Sequence, residues 1–156
     1  MWTETFFQLA DRMIIERLKQ ERFKEAGKQG KSNAARSQAD ALEAACGELL
    51  MEFVDGKTKP QMAKHLRFHN HDIAAEPLPD SMMGCISELS ITHARYWEAQ
   101  THVQNLKDKL CSGNGDQPGY LKRFHELQLK IDEYNQRRNE VRERGDAILV
   151  EMFNAT

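Results

Sequence analysis

The sequence predicts an all-α protein, a four-helix-type bundle of two long helical hairpins with a short extra helix in the crossover. Three observations carry this expectation. Between residues 118 and 153, Phe124, Leu127, Ile131, Tyr134, Val141, Ile148 and Met152 recur mostly at steps of three and four, the spacing that lines one face of a long helix. Such a stripe must bury against partners, because an isolated helix is marginal in water. Glycine-bearing polar links at residues 27–31, 55–56 and 111–116 separate further stretches with the same period. The chain has 156 residues, 29% of them charged, and only four prolines, which suits one charge-rich helical domain with a core of its own. Hairpin one is expected over residues 3–55, the crossover over 56–80 and hairpin two over 81–153.

The first helix is expected over residues 3–26, capped by Thr3 or Thr5, with Phe6, Phe7, Ala10, Met13, Ile14 and Leu18 on its apolar face. Ser32 reads as the N-cap of a second helix over residues 33–54, with the seam Ala35, Ala39, Leu42, Cys46, Leu49, Phe53. Gly56 is suited to the left-handed conformation that ends it. Thr58-Lys59-Pro60 reads as the cap and first turn of the short crossover helix, through about Phe68. The third helix is expected over residues 81–110, with the stripe Met82, Ile86, Leu89, His93, Tyr96, Val103, Leu110. Helix two also aligns with the last helix, Leu49 to Phe53 upon Ile148 to Met152, so that Cys46 falls on Gly145. Two small residues at one register position favour close helix approach.

Composition narrows the function. A net charge of −2 gives no general attraction to nucleic acid. The basic run Arg137, Arg138, Arg142, Arg144 alternates with Glu133, Glu140, Glu143 and Asp146, which cancels its field. Cys46, Cys85 and Cys111 are odd in number and form no CxxC pair, so they read as reduced thiols of a cytoplasmic protein. No basic leader and no spanning apolar run is present, so no membrane insertion is expected. There is no glycine-rich phosphate loop, no GxSxG and no cysteine–histidine signature, and no cofactor is expected.

Arg138 and Gly145 occupy slots of the last stripe where apolar residues should stand. Asn135, Asn139 and Arg142 flank Arg138 at helical spacings of three and four, so the four side chains converge on one patch. A guanidinium beside amides is a fork of donors suited to a carboxylate or phosphate. A buried charge is costly unless paired, so an internal acid or carbonyl is the more economical partner and a ligand the alternative. His93 lies on the third stripe and could join Asn135 and Arg138 in a pocket between the hairpins, although a hydrogen-bonded core histidine is the simpler reading. His65 and His69, with His71 and Asp72 just beyond, are the residues that would hold a borderline metal. They lack HExxH or paired Glu-x-x-His spacing, so a solvated His-rich loop is favoured.

Ile131-Asp132-x-x-Asn135-Gln136-x-Arg138-Asn139-Glu140 resembles the I-D-x-x-N-Q-x-R-N-D/E motif of an uncharacterised bacterial family, known only as a domain of unknown function. Leu89-Ser90-Ile91-x-x-x-Arg95-x-Trp97 is similar to the L-S/T-I-x-x-x-K-x-W/Y stretch of that family. The resemblance covers mainly the second half. An acid and a base usually precede L-S-I there; here Ser87-Glu88 stand in that place, and Asp11-Arg12-Met13 in helix one keeps the pair better. The resemblance implies an all-helical soluble bacterial protein with no established activity. Members of the family sometimes stand beside glycosyltransferase genes of surface-polysaccharide pathways.

Two functions follow as expectations. The first is an accessory or protein-interaction bundle, with homo-oligomerisation expected from two-sided apolar content in helix one (Phe6, Phe7, Ile14, Ile15) and helix three (Leu89, Ile91, Tyr96, Trp97). The second is a binding protein or enzyme for a phosphorylated or nucleotide-linked sugar, held by Asn135, Arg138, Asn139, Arg142 and His93.

Overall fold

A computed structural model describes residues 2–63, 77–113 and 117–154. They form four α-helices: α1 (Phe6–Glu25), α2 (Gln29–Val54), α3 (Met82–Cys111) and α4 (Gln117–Asn154). No helix among the described residues is long and apolar enough to cross a membrane.

Thr5, not Thr3, caps α1: its hydroxyl accepts from the Gln8 N–H at 3.2 Å, and the Gln8 side chain accepts from the Thr5 N–H at 2.8 Å. This reciprocal box satisfies two otherwise orphaned donors. Gly27, at φ +73°, ends α1, with the Lys28 N–H donating to the Phe23 carbonyl at 2.8 Å. That bond is the signature of a Schellman turn, and the link to α2 is therefore only a few residues long. Helix two consequently starts four residues earlier than the sequence suggests. Ser32 is not its cap; it is buried inside α2, and its hydroxyl donates to the Gln20 carbonyl of α1 at 2.8 Å. Gly56 ends α2 at φ +69°.

The described part of the expected crossover helix, residues 58–63, is not helical. Pro60 is buried there, and a proline drives the residue before it towards extended backbone. The remainder of that expected helix lies outside the described residues. Ser81 caps α3, accepting from the Gly84 N–H at 3.0 Å.

The helices pair as two hairpins, α1 on α2 and α3 on α4, and α1 also packs on α3 and α4. Helix α2 is buried along Ser32, Ala35, Ala39, Leu42, Cys46, Leu49 and Phe53, an alternation of three and four that forms a coiled-coil-like seam. The main core joins Phe7, Ala10 and Ile14 of α1 to Leu49 of α2, Leu89 of α3, and Val141 and Leu149 of α4. Among the described residues a second, smaller core belongs to α3 and α4 alone: Ala99, Val103 and Leu106 against Leu127 and Ile131.

Met152 departs from the expected stripe and is 55% exposed, while Leu149 is buried and Phe153 packs on Phe53. A 3.6-residue helix drifts against a seven-residue repeat, and over α4 the buried face moves on by one position. The apolar surplus of α1 is absorbed inside the chain, because Phe6, Phe7 and Ile14 are buried against neighbouring helices. Leu89 is buried as well, Tyr96 and Trp97 are half-buried, and Ile91 is exposed.

Candidate functional site

Asp11 stands one turn after Phe7 on the buried face of α1 and is sealed from solvent. Three side chains from two other helices converge on its carboxylate. From α3, His93 Nε2 meets Oδ1 at 2.6 Å. From α4, Arg138 donates through Nε to Oδ2 at 2.9 Å and reaches the same oxygen through Nη2 at 2.7 Å. Arg142, one turn further along α4, donates through Nη1 to Oδ2 at 3.1 Å. Burial by itself would raise the Asp11 pKa. The hydrogen bonds from His93 and Arg138, with their charge, outweigh it and hold the carboxyl below its usual range.

Gly145 is what lets α1 come this close to α4. A Cβ on Gly145 would lie 2.5 Å from the Phe7 ring, so the aromatic ring fills the space that any larger residue would occupy. Phe7 and Asp11 are separated by one turn of α1, as Gly145 and Arg142 nearly are on α4. The two gaps in the α4 stripe are thus answered by one face of α1, the glycine by a ring and the arginine by a carboxylate.

The structure brings together His93, Arg138 and Arg142 on Asp11, and adds Asn139, whose Oδ1 accepts from Arg142 Nη2 at 2.6 Å. Asn135 is half-buried on α4 and is not among the donors to Asp11. The side chains of Arg138 and Arg142 are 29% and 20% exposed, so their outer edges reach the surface. Two guanidinium ions meet the Asp11 carboxylate, and the charge of Arg142 also acts on Asp146. His65, His69 and His71, the residues read as weak metal ligands, lie outside the described residues. Among the described residues no group of three or more His, Cys, Asp or Glu side chains is placed to hold a metal ion.

The other arginines of the basic run anchor the chain entering α3. Arg137 donates to Glu88 at 3.0 Å and to the Pro77 carbonyl at 2.9 Å, and Arg144 donates to the Pro79 carbonyl at 3.2 Å. Cys46 and Cys85 are buried; burial pushes the Cys46 thiol up to about 11 and raises that of Cys85. Neither has the lowered pKa of a poised nucleophile.

A second carboxylate, Asp146, is also buried. It accepts from the Thr5 hydroxyl at 2.6 Å and from the Phe7 N–H at 3.2 Å, so α4 supplies an acceptor to the free N-terminal amides of α1. Burial raises its pKa to about 6 despite those bonds. Asp146 lies beside an open cleft of about 780 Å³ between Trp2, Phe6, Phe53 and Pro60. Across that cleft Trp2 Nε1 donates to Glu52 at 2.8 Å.

In the sequence the arginines stand out as site candidates, whereas Asp11 figures only in the acid–base pair Asp11-Arg12 and Asp146 only as a charge offsetting the basic run. The signal was present: Asp11 interrupts the apolar run Phe7, Ala10, Ile14, and Asp146 interrupts Val141, Ile148, Leu149. A charged residue in a buried stripe asks for a partner in another stripe. Comparison of the chain with family models, with curated proteins and with solved structures finds no match.

Proposed function

We propose that the protein is a helical accessory or interaction protein that works through its outer surfaces rather than by turning over a substrate. The observation that carries this reading is the pairing of Arg138 with Asp11, at 2.9 Å from Nε and 2.7 Å from Nη2. The fork of donors best suited to grip a ligand carboxylate or phosphate is engaged by the protein's own acid. A three-helix ionic joint of this kind fixes how α1, α3 and α4 meet, which is the service a scaffold needs. Free thiols at Cys46, Cys85 and Cys111 support a reducing, cytoplasmic setting. The resemblance of residues 131–140 and 89–97 to an uncharacterised bacterial family supports the same all-helical, accessory reading.

One observation favours a second reading. The outer edges of Arg138 and Arg142, together with exposed Asn139, form a positive rim, which is where a phosphorylated or nucleotide-linked sugar would be held. A thermal-shift screen against sugar phosphates, nucleotide sugars, simple nucleotides and divalent metals separates the two. No rise in Tm is expected, and Asp11→Asn is expected to destabilise the fold by about 3 kcal/mol by stripping a buried ion pair of one partner. A ligand that raises the Tm of the native chain, with the rise lost in Asn139→Ala, overturns the scaffold reading. A ligand present at about a hundred times its Kd adds roughly 2.7 kcal/mol, so binding would be plain.

A further inference from the structure

The chain enters α1 through a short non-helical strap, Trp2–Thr5, set beside the end of α2 and the last turns of α4. Trp2 and Thr5 clasp it to those helices. Trp2 Nε1 donates to Glu52 of α2 at 2.8 Å, and the Thr5 hydroxyl donates to Asp146 Oδ2 of α4 at 2.6 Å. Between them Thr3 is exposed, and Glu4 pairs with Arg12 at the surface, a contact of small worth in water. The strap forms one wall of the open cleft, and Asp146 borders the same cleft. Asp146 is nonetheless only 2% exposed, so the strap bonded to its Oδ2 is part of what keeps water off it.

Among the described residues Asp146 is hydrogen-bonded to neutral groups, the Thr5 hydroxyl and the Phe7 N–H of α1. The charges around it act at longer range and are engaged elsewhere or opposed. On α4 itself, Arg142 is bonded to Asp11, and Glu143 acts with the opposite sign. Glu4 of the strap and Glu52 of α2 share the cleft, both acids and both already paired with other groups. From the chain after α2 come Lys57, paired with Asp55 at 3.5 Å, and Lys59. From α3 comes the Cys85 thiol. A buried carboxylate served by neutral donors is disfavoured as an anion and tolerated as an acid. Water restores the anion, so any motion that hydrates Asp146 is coupled to loss of its proton.

We infer that the strap Trp2–Thr5 is a proton-coupled latch, closed over Asp146 while the carboxyl holds a proton and opening as that proton leaves for solvent. When protonated, Asp146 keeps both contacts: one oxygen accepts from the Phe7 N–H, and the other, now a hydroxyl, donates to the Thr5 oxygen. When ionised, the buried anion is relieved if Thr5 swings aside and water from the cleft reaches it. The same motion uncovers two amides, Phe7 N–H bonded to Asp146 and Gln8 N–H bonded to the Thr5 hydroxyl. The Phe7 ring stays seated against Gly145, so the main core is not disturbed. The open form returns the carboxyl to its ordinary range, and the closed form holds it above that range. Opening therefore releases one proton, and rising pH favours it. The latch goes beyond the scaffold reading and is independent of it.

Amide hydrogen exchange on the full chain tests this, with rates corrected for the intrinsic effect of pH on the exchange chemistry. Phe7 and Gln8 are expected to exchange faster than Leu89 and Val141, and nearly independently of dilute urea, the marks of a small local opening. Their protection is expected to fall about tenfold per pH unit between about pH 4.5 and 6, then to level off. Asp146→Asn, which has no proton to release, should abolish that slope. Trp2→Phe removes the donor to Glu52 and should speed exchange at Phe7 and Gln8 several-fold at every pH while keeping the slope. The Trp2→Phe chain carries the test should Asp146→Asn fail to fold. Amides of Phe7 and Gln8 that open only together with Leu89 and Val141 overturn the inference. So does protection that is flat with pH, a slope that survives Asp146→Asn, or a Trp2→Phe chain that exchanges like the native one.

Discussion

Asp11 and Asp146 are both sealed from water, but among the described residues only Asp11 is directly bonded to arginine side chains. Their pKa values accordingly move in opposite directions, and each direction sets a sign for stability against pH. Asp146 rises from 3.8 to about 6, burial being the chief cause. Between those values the folded chain keeps a proton that the unfolded chain has lost, so this group makes stability rise as pH falls. Above the upper value the fold carries a buried anion at a cost of about 3 kcal/mol at most. Asp11 is held below 3.8 by His93 and Arg138 in spite of burial. Its contribution is complete above that ordinary value and is lost as pH falls through the lower folded one. The protein is therefore expected to be more stable near pH 5 than near pH 7, and to unfold in acid below about pH 4. In Asp146→Asn the amide oxygen still accepts from Phe7, and the rise between pH 7 and 5 should vanish. Denaturant melts at the two pH values check it, and equal slopes for native and variant chains would refute the assignment.

At the scale of elements, the contact of α1 with α4 turns on Gly145. Alanine is the better helix former by about 1 kcal/mol, so propensity alone has Gly145→Ala stabilising α4. The Phe7 ring, 2.5 Å from where the new Cβ would stand, reverses the sign. Overpacking against a fully buried ring is expected to cost about 1–3 kcal/mol, and Phe7→Leu in the same chain should recover part of it. A higher Tm for the single variant would mean that the helices do not meet here. This contact also marks how far the sequence can be read. The four helices, the α2 seam and the gaps at Arg138 and Gly145 were legible, because each is a periodic pattern within one element. That Asp11 and Phe7 fill those gaps was not, because register between helices depends on packing across the chain. Ser32 misled for a related reason: a serine before a helical run reads as a cap, but its hydroxyl bonds to the Gln20 carbonyl on another helix. Thr58-Lys59-Pro60 likewise carries the local signature of a helix start, while its proline is buried in a non-helical stretch.

At the scale of the molecule, two cores of unequal strength share α3 and α4. The main core draws side chains from all four helices. The second is built by Ala99, Val103, Leu106, Leu127 and Ile131, with Tyr96, Tyr120, Phe124 and Tyr134 packed around it, all from one hairpin. Helices of 30 and 38 residues outrun partners of 20 and 26, so among the described residues the far end of the second hairpin is buried on one side only. Leu121 and Leu129 are left exposed there. Stability in a folded chain is distributed according to such packing, and regions with few buried contacts open without global unfolding. Amides of residues 99–110 and 120–131 are therefore expected to exchange with solvent through local opening, well before those of residues 85–93 and 141–149. The main core, locked by the Asp11 joint, should exchange only at the global free energy of unfolding. Val103→Ala sharpens the test: it should speed exchange at the far end of the hairpin while leaving protection around Leu89 and Val141 nearly unchanged. Uniform protection along α3 and α4, or a Val103→Ala effect that spreads to Leu89 and Val141, would mean that the two cores unfold as one.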